Sequence, residues 1–181
     1  MDDGASGQSP QPGDRYTVTY LEMTAPPATP VPKPPSNVHL AVIMAEQPPV
    51  DWFLYLYRTV GEPYLWTDWL RAPREEVEAF IQDPEVTLHT LMLDGWPGGF
   101  FMLDTRAPEL CDLSYFGLVP EAVGRGLGQW FLATAIAAGW AREGVEKMTV
   151  NTCTLDHPRA LGTYQRLGFT AVHREERVLK G

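Results

Sequence analysis

Between Leu110 and Ala141 the chain passes from the apolar and aromatic stretch LCDLSYFGL, through Val119-Pro-Glu-Ala-Val-Gly-Arg-Gly-Leu-Gly128, into the long apolar run QWFLATAIAAGWA, with three glycines within five residues. Strand-forming residues that give way to a long proline-free apolar run read as a strand feeding a helix. Such a helix has to fold back onto the sheet that holds the strand. The glycines sit at the junction. A helix N-terminus there exposes unpaired N–H groups and a partial positive charge, and glycine lets an anion approach the backbone without interference from a Cβ. Plain turn chemistry is the competing reading of a glycine-rich junction. The spacing is GxGxG, without the GxxxxGK[ST] lysine that meets a terminal phosphate and without the GxGxxG of a strand that opens a dinucleotide fold, so ATP, GTP and NAD chemistry are disfavoured.

Around this junction the chain alternates in kind. Tyr16–Met23 reads as a strand, the cluster PPATPVPKPP as an extended connector that cannot donate to a sheet ladder, and Asn37–Met44 as a second strand. Phe53, Leu56, Tyr57 and Val60 recur at helical spacing before Gly61, a short helix is expected around Trp66–Leu70, and Pro73-Arg-Glu-Glu opens another through Gln82. Val86–Leu93, a tight Asp94-Gly95 turn and Gly98–Thr105 make a hairpin, and Leu110–Leu118 adds a strand to the meander. After the glycines come a helix to about Glu143, a strand Lys147–Cys153, a helix Pro158–Leu167 closed by Gly168, and a strand Phe169–Leu179. The expectation is a single α/β (α+β) domain over residues 15–181: one mixed, mostly antiparallel central sheet with helices on both faces. Residues 1–14 lack aromatic and branched apolar side chains and predict a flexible tail.

With 181 residues, 44% of them hydrophobic, the chain suits one compact domain. No apolar run reaches the ~20 residues of a membrane span, and Met1-Asp-Asp-Gly has no secretion-signal pattern, so a soluble cytoplasmic protein is expected. Cys111 and Cys153, two thiols without metal-ligand spacing, predict buried free cysteines and no metal site. The net charge of −9 lies wholly in residues 1–106, which hold six Lys and Arg against fifteen Asp and Glu, whereas residues 107–181 balance at eight and eight. Such a surface repels nucleic acid and attracts cations; a solvated face that serves solubility is the alternative reading.

A second segment, Asp156-His-Pro-Arg-Ala-Leu-Gly-Thr-Tyr-Gln-Arg-Leu-Gly-Phe169, opens with a capping residue and a proline and closes with glycine before a strand. The two segments together resemble the GNAT superfamily of acyl-CoA-dependent N-acyltransferases. The family's pyrophosphate loop reads Q/R-x-x-G-x-G/A, here Val123-Gly-Arg-Gly126-Leu-Gly128, and its later helix reads N-x-x-A-x-x-x-Y-x-x-x-G-F, here His157, Ala160, Tyr164 and Gly168-Phe169. The likeness covers residues 86–181 by motif and the front only by element order. It implies a sheet that splays at an acyl-CoA site, and an N-acetyltransferase that moves acetyl from acetyl-CoA to a primary amine in a ternary complex, with no metal and either as a monomer or as a homodimer.

The same resemblance assigns roles. Val123, Gly124, Arg125, Gly126, Leu127 and Gly128 form the pyrophosphate cradle, Phe116 and Leu118 offer backbone groups to the pantetheine arm, and His157 stands where the family's asparagine meets that arm. Val123 replaces the usual Gln or Arg, and Arg125 brings charge into the loop; for His157, helix capping is the alternative. Tyr164 matches the tyrosine beside the coenzyme A sulfur, a proton donor to the departing thiolate, with packing as the alternative. Asp112 aligns with a catalytic Glu of some members, one methylene shorter, and the alternative there is a carboxylate held by hydrogen bonds; Asp156 and His173 are weaker candidates for the base. His39 and His89 read as structural or surface residues. The family's acceptor pocket maps to a region rich in aromatics, where Trp66 and Asp68 are the substrate-binding candidates for a cationic or neutral amine, with Trp52, Tyr55, Tyr57, Tyr64 and Trp69 nearby. A catalytically silent acyl-CoA sensor or protein-interaction module is the rival reading.

Overall fold

The structure, a computed structural model, describes residues 10–179. Its elements in chain order are β1 (Arg15–Met23), β2 (Leu40–Ala45), α1 (Val50–Gly61), α2 (Asp68–Arg71), α3 (Arg74–Ile81), β3 (Val86–Leu93), β4 (Trp96–Asp104), β5 (Leu110–Leu118), α4 (Gly128–Trp140), β6 (Lys147–Cys153), α5 (Ala160–Arg166) and β7 (Thr170–Val178). All seven strands form one sheet in the order β2-β3-β4-β5-β6-β1-β7. Every neighbouring pair is antiparallel except β5–β6, which is parallel and therefore needs α4 as its crossover. The mixed, mostly antiparallel sheet is the one that the strand pattern implies.

Side chains that alternate along β4 feed two cores. Phe100 and Met102 point to one face and meet Phe53, Leu56, Tyr57 and Val60 of α1 with Val77 and Ile81 of α3; Phe101 and Leu103 point to the other and meet Phe131, Leu132, Ala135 and Ile136 of α4, with Tyr164 of α5. Helices thus cover both faces. The β3–β4 hairpin turns through Asp94 (φ 49°) and Gly95 (φ 91°), the left-handed pair that a two-residue turn matching strand twist requires.

The structure departs from the sequence pattern in places where long-range contacts decide. β2 begins at Leu40, not Asn37, because the Asp94 carboxylate takes the His39 N–H at 2.9 Å and ties this stretch to the hairpin turn. α4 stops at Trp140, three residues early, and α5 starts at Ala160, not Pro158. Asp156 does not cap α5: its Oδ2 accepts from Thr152 Oγ1 at 2.8 Å and from Cys153 N at 2.9 Å. Short 3₁₀ turns at Glu62–Tyr64 and Pro120–Ala122 carry no periodic signal. Cys111 is buried, its thiol pushed up to about 12 by burial, but Cys153 is only half-buried. Of the tail expected over residues 1–14, residues 1–9 lie outside the described residues, while Gly13 N and Asp14 O pair with Leu179 O and N at 2.9 and 2.8 Å. No helix among the described residues is long and apolar enough to cross a membrane.

Candidate active site

The sheet opens between β5 and β6. Their ladder registers Leu110–Asp112 against Lys147–Thr149 and, among the described residues, goes no further. The cause lies on the other side of β5. Leu113 pairs with Leu103 and Tyr115 with Met102, so Ser114 is an extra residue, a bulge that adds twist and turns the upper half of β5 away from β6. Val119 N donates to Gly98 O on β4 at 3.0 Å. In a strand, N–H and C=O alternate sides, so the backbone groups of Phe116 and Leu118 face the opening.

The glycine loop crosses the top of this opening. Val119, Ala122 and Leu127 are buried and pin the loop at three points, while Val123–Gly126 stand exposed between them. Gly124 (φ 82°) and Gly126 (φ 76°) have left-handed backbones, and a Cβ added to Gly124, Gly126 or Gly128 meets nothing within 4 Å. The loop is bare toward the outside, not glycine-packed against the protein. No side chain caps the 13-residue helix α4, so its first-turn N–H groups open onto the same space. The Leu127 side chain is 1% exposed and packs in the α1-side core, which leaves its backbone as the part of it that a cradle can use. The Arg125 guanidinium lies 3.5 Å from the Asp94 carboxylate, so its charge is partly engaged across the gap to the β3–β4 turn.

Asp112 stands on β5 at the foot of the opening, and Tyr164 of α5 lies within its electrostatic reach. Asp112 sits at the last registered pair, where its two carboxylate oxygens accept from Thr149 Oγ1 at 2.6 Å and Ser114 Oγ at 2.8 Å. Burial nonetheless holds its carboxyl above the usual carboxylate range. Ser114 and Thr149 carry no motif, and only the bulge and the parallel register deliver them to Asp112. Tyr164 is buried, with its ring edge-on to Phe116 and Phe169 at centroid distances of 6.5 and 6.0 Å. Burial, then the charges of Asp156 and Asp112, raise its phenol well above the ordinary range.

On the α1 side an aromatic wall rises over the opening. Trp69 Nε1 donates to Tyr115 Oη at 2.7 Å, and the Tyr57 ring stands edge-on to Tyr115 at a centroid distance of 5.3 Å. Trp66 leans on Tyr57 and Tyr115 with ring centroids 5.6 and 5.5 Å apart, and rests where a Cβ on Gly61 would come within 2.5 Å of Trp66 Cβ. Its indole N–H reaches across to Asp156 Oδ1 at 3.4 Å. Asp68 is exposed, and it is Asp156 that touches Trp66; the sequence offered only the spacing of an early acidic residue next to aromatics, which does not reveal a partner 90 residues away. His157 Nδ1 accepts the Arg159 N–H at 3.2 Å in the turn that leads into α5, which leaves Nε2 uncommitted among the described residues. His89 is stacked on Phe101 at 4.4 Å with its imidazole held down to about 4 by burial, and His39 is an exposed partner of Asp94, so both lie apart from the opening.

With this geometry in hand, comparisons with known proteins are specific in family and general in detail. The profile of the Acetyltransferase (GNAT) family matches residues 51–169. No curated protein matches the chain. Among solved structures, a functionally unknown conserved protein from Staphylococcus epidermidis aligns at TM-score 0.63 and 10% identity, covering 90% of this chain and 60% of that one. A GCN5-related N-acetyltransferase from Kribbella flavida aligns at TM-score 0.55 and 16% identity over 89% of this chain and 56% of that one. An aminoglycoside acetyltransferase from an uncultured soil metagenomic sample, in complex with sisomicin, aligns at TM-score 0.56 and 14% identity over 71% and 86%. The chain thus spans less than two thirds of the length of the first two, and at these identities the likeness is one of fold. The family profile, which covers the splayed strands, the glycine loop and the later tyrosine, shows that the chain belongs to the acetyltransferase (GNAT) family.

Proposed function

We propose that the protein is an N-acetyltransferase that moves an acetyl group from acetyl-CoA directly to a primary amine in a ternary complex. The observation that carries this reading is the conjunction of a sheet opened by the Ser114 bulge with a bare, uncapped helix N-terminus at its upper end. The cradle of Val123–Gly128 suits a diphosphate: two left-handed glycines turn the chain, no Cβ fills the space, and the first-turn N–H groups of α4 are unpaired donors. Acetyl-CoA, when bound, supplies a thioester carbonyl that an amine attacks. Phe116 and Leu118 present backbone groups along the arm's path, and the N–H of Leu118 is the donor available to a carbonyl that gains negative charge. His157 has Nε2 left for the same arm.

Tyr164 keeps its proton at every physiological pH, because burial raises the phenol, and it hands that proton to the departing thiolate. Asp112 takes the proton of the incoming amine through a water, since both its oxygens already hold hydroxyl groups. Trp66 and Asp68 form the acceptor side, which the acidic excess of residues 1–106 biases toward a cationic or neutral amine. The test is a thermal-shift titration with acetyl-CoA, followed by thiol release against an amine panel. Stabilisation with release supports the transferase. Stabilisation without release across the panel points to a silent acyl-CoA-binding module, and no stabilisation overturns the cofactor assignment.

A further inference from the structure

We propose that Asp156 receives the ammonium group of the acceptor, in a site walled by Trp66 and Tyr64; the proposal rests on the acetyltransferase reading above. The carboxylate is oriented through one oxygen and open at the other. Oδ2 is held by Thr152 Oγ1 and Cys153 N at 2.8 and 2.9 Å, whereas Oδ1 has one long bond, 3.4 Å, from Trp66 Nε1. An ionised carboxylate oxygen accepts about two hydrogen bonds, so Oδ1 has capacity to spare. Asp112, by contrast, has a short hydroxyl bond on each oxygen, at 2.6 and 2.8 Å.

Charge narrows the choice in the same direction. Glu22, Asp51, Glu85, Asp94, Asp104, Glu175 and Glu176 each have a cationic side chain within ion-pair distance, and of the described carboxylates outside these pairs only Asp83, Asp112 and Asp156 are half-buried. A half-buried carboxylate without a counter-ion attracts a cation more strongly than an exposed one, because solvent screens it less. The surroundings suit a primary ammonium. Trp66 is half-buried, with Tyr64 at a centroid distance of 6.5 Å, and the two aromatic side chains wall the carboxylate, Trp66 with its N–H edge toward Oδ1. The position suits transfer as well. Asp156 acts electrostatically on the phenols of both Tyr64 and Tyr164, and so lies within charge reach of the outer wall and of the inner proton donor. One ammonium N–H bonds to Oδ1 in place of the indole N–H, and the amine nitrogen is held at the mouth of the opening.

Calorimetric titration of the full chain, loaded with coenzyme A, tests this with butylammonium, phenethylammonium and 1,4-diaminobutane, and with 2-phenylethanol as an uncharged control. The expected result is binding of an alkylammonium ion that Asp156→Asn weakens about 10- to 100-fold, with 2-phenylethanol unaffected. Equal alkylammonium affinity in parent and variant, or none in the parent, overturns the proposal. Trp66→Phe keeps an aromatic face but removes the competing donor, and is expected to tighten alkylammonium binding about 2- to 5-fold. If Asp156→Asn does not fold, an unchanged affinity in Trp66→Phe overturns the proposal by itself. Acetyl-CoA thermal shift, run in parallel on the parent, separates the two readings: its loss speaks against the transferase, whereas a retained shift with an indifferent Asp156 variant speaks against the ammonium site alone.

Discussion

Tyr164 and Asp112 are ionisable groups whose surroundings favour the protonated form of each, and the consequences differ. For Tyr164 the shift preserves an acid. Tyr164→Phe is expected to lower turnover about 10- to 10³-fold and to leave acetyl-CoA affinity nearly unchanged, since the lost proton acts only as the thiolate departs; kcat measured beside a binding isotherm checks this. For Asp112 the shift opposes folding at neutral pH. Its carboxyl titrates higher in the folded chain than the ~3.9 of an unfolded aspartate, so ionisation costs folding free energy above the folded pKa, and the cost vanishes below the unfolded one. The parent should therefore gain stability relative to Asp112→Asn as pH falls from 7 toward 4, and melting curves of both across that range test the sign. In activity the same substitution should flatten the acid limb of the pH–rate profile, because a base must lose its proton before it acts.

At the level of elements the glycine loop separates backbone demand from ligand demand. Gly124→Ala and Gly126→Ala force a side chain into a left-handed backbone and are expected to cost roughly 1 kcal/mol each in stability, besides weakening acetyl-CoA. Gly128 has no such backbone and begins α4, with nothing near an added Cβ. Gly128→Asp should leave the melting temperature level or slightly raised while it weakens acetyl-CoA binding at least several-fold, because a negative charge in the first turn suits the helix but enters the cradle. An unchanged affinity would assign Gly128 to turn chemistry. The same loop shows the limit of motif reading: GxGxG announces the turn, whereas the Arg125–Asp94 pair that holds one wall depends on the hairpin 31 residues away.

Across the whole molecule, the place of β1 is set by long-range contacts. Strands in series suggest that it pairs with its successor, yet it lies between β6 and β7, registered with Val18–Met23 on one side and Arg15–Glu22 on the other. The proline-rich connector permits this, since it forms no ladder of its own and spans the distance to β2. A fragment beginning after Met23 should fail to fold cooperatively, even though the family match starts only at residue 51, because β6 and β7 would lose their shared partner; circular dichroism and a thermal melt of that fragment check it. The uneven charge also acts at this scale. For a cationic acceptor, kcat/KM should fall as salt rises from 0.1 to 1 M and the Debye length shrinks from ~10 to ~3 Å.

Local chemistry alone determined most of the elements, the hairpin turn, the strand–loop–helix junction and the two motifs that lead to Tyr164 and the cradle, because each depends on residues within a few positions of one another. Tertiary structure decided the rest. The Ser114 bulge exists only against Met102 and Leu103, the hydroxyls on Asp112 arrive from its own bulge and from β6, and Trp66 meets Asp156 across 90 residues of chain. Pairings of this kind depend on which strands become neighbours, and that is settled by burying two opposite faces of one sheet at once, a condition that no single stretch of sequence contains.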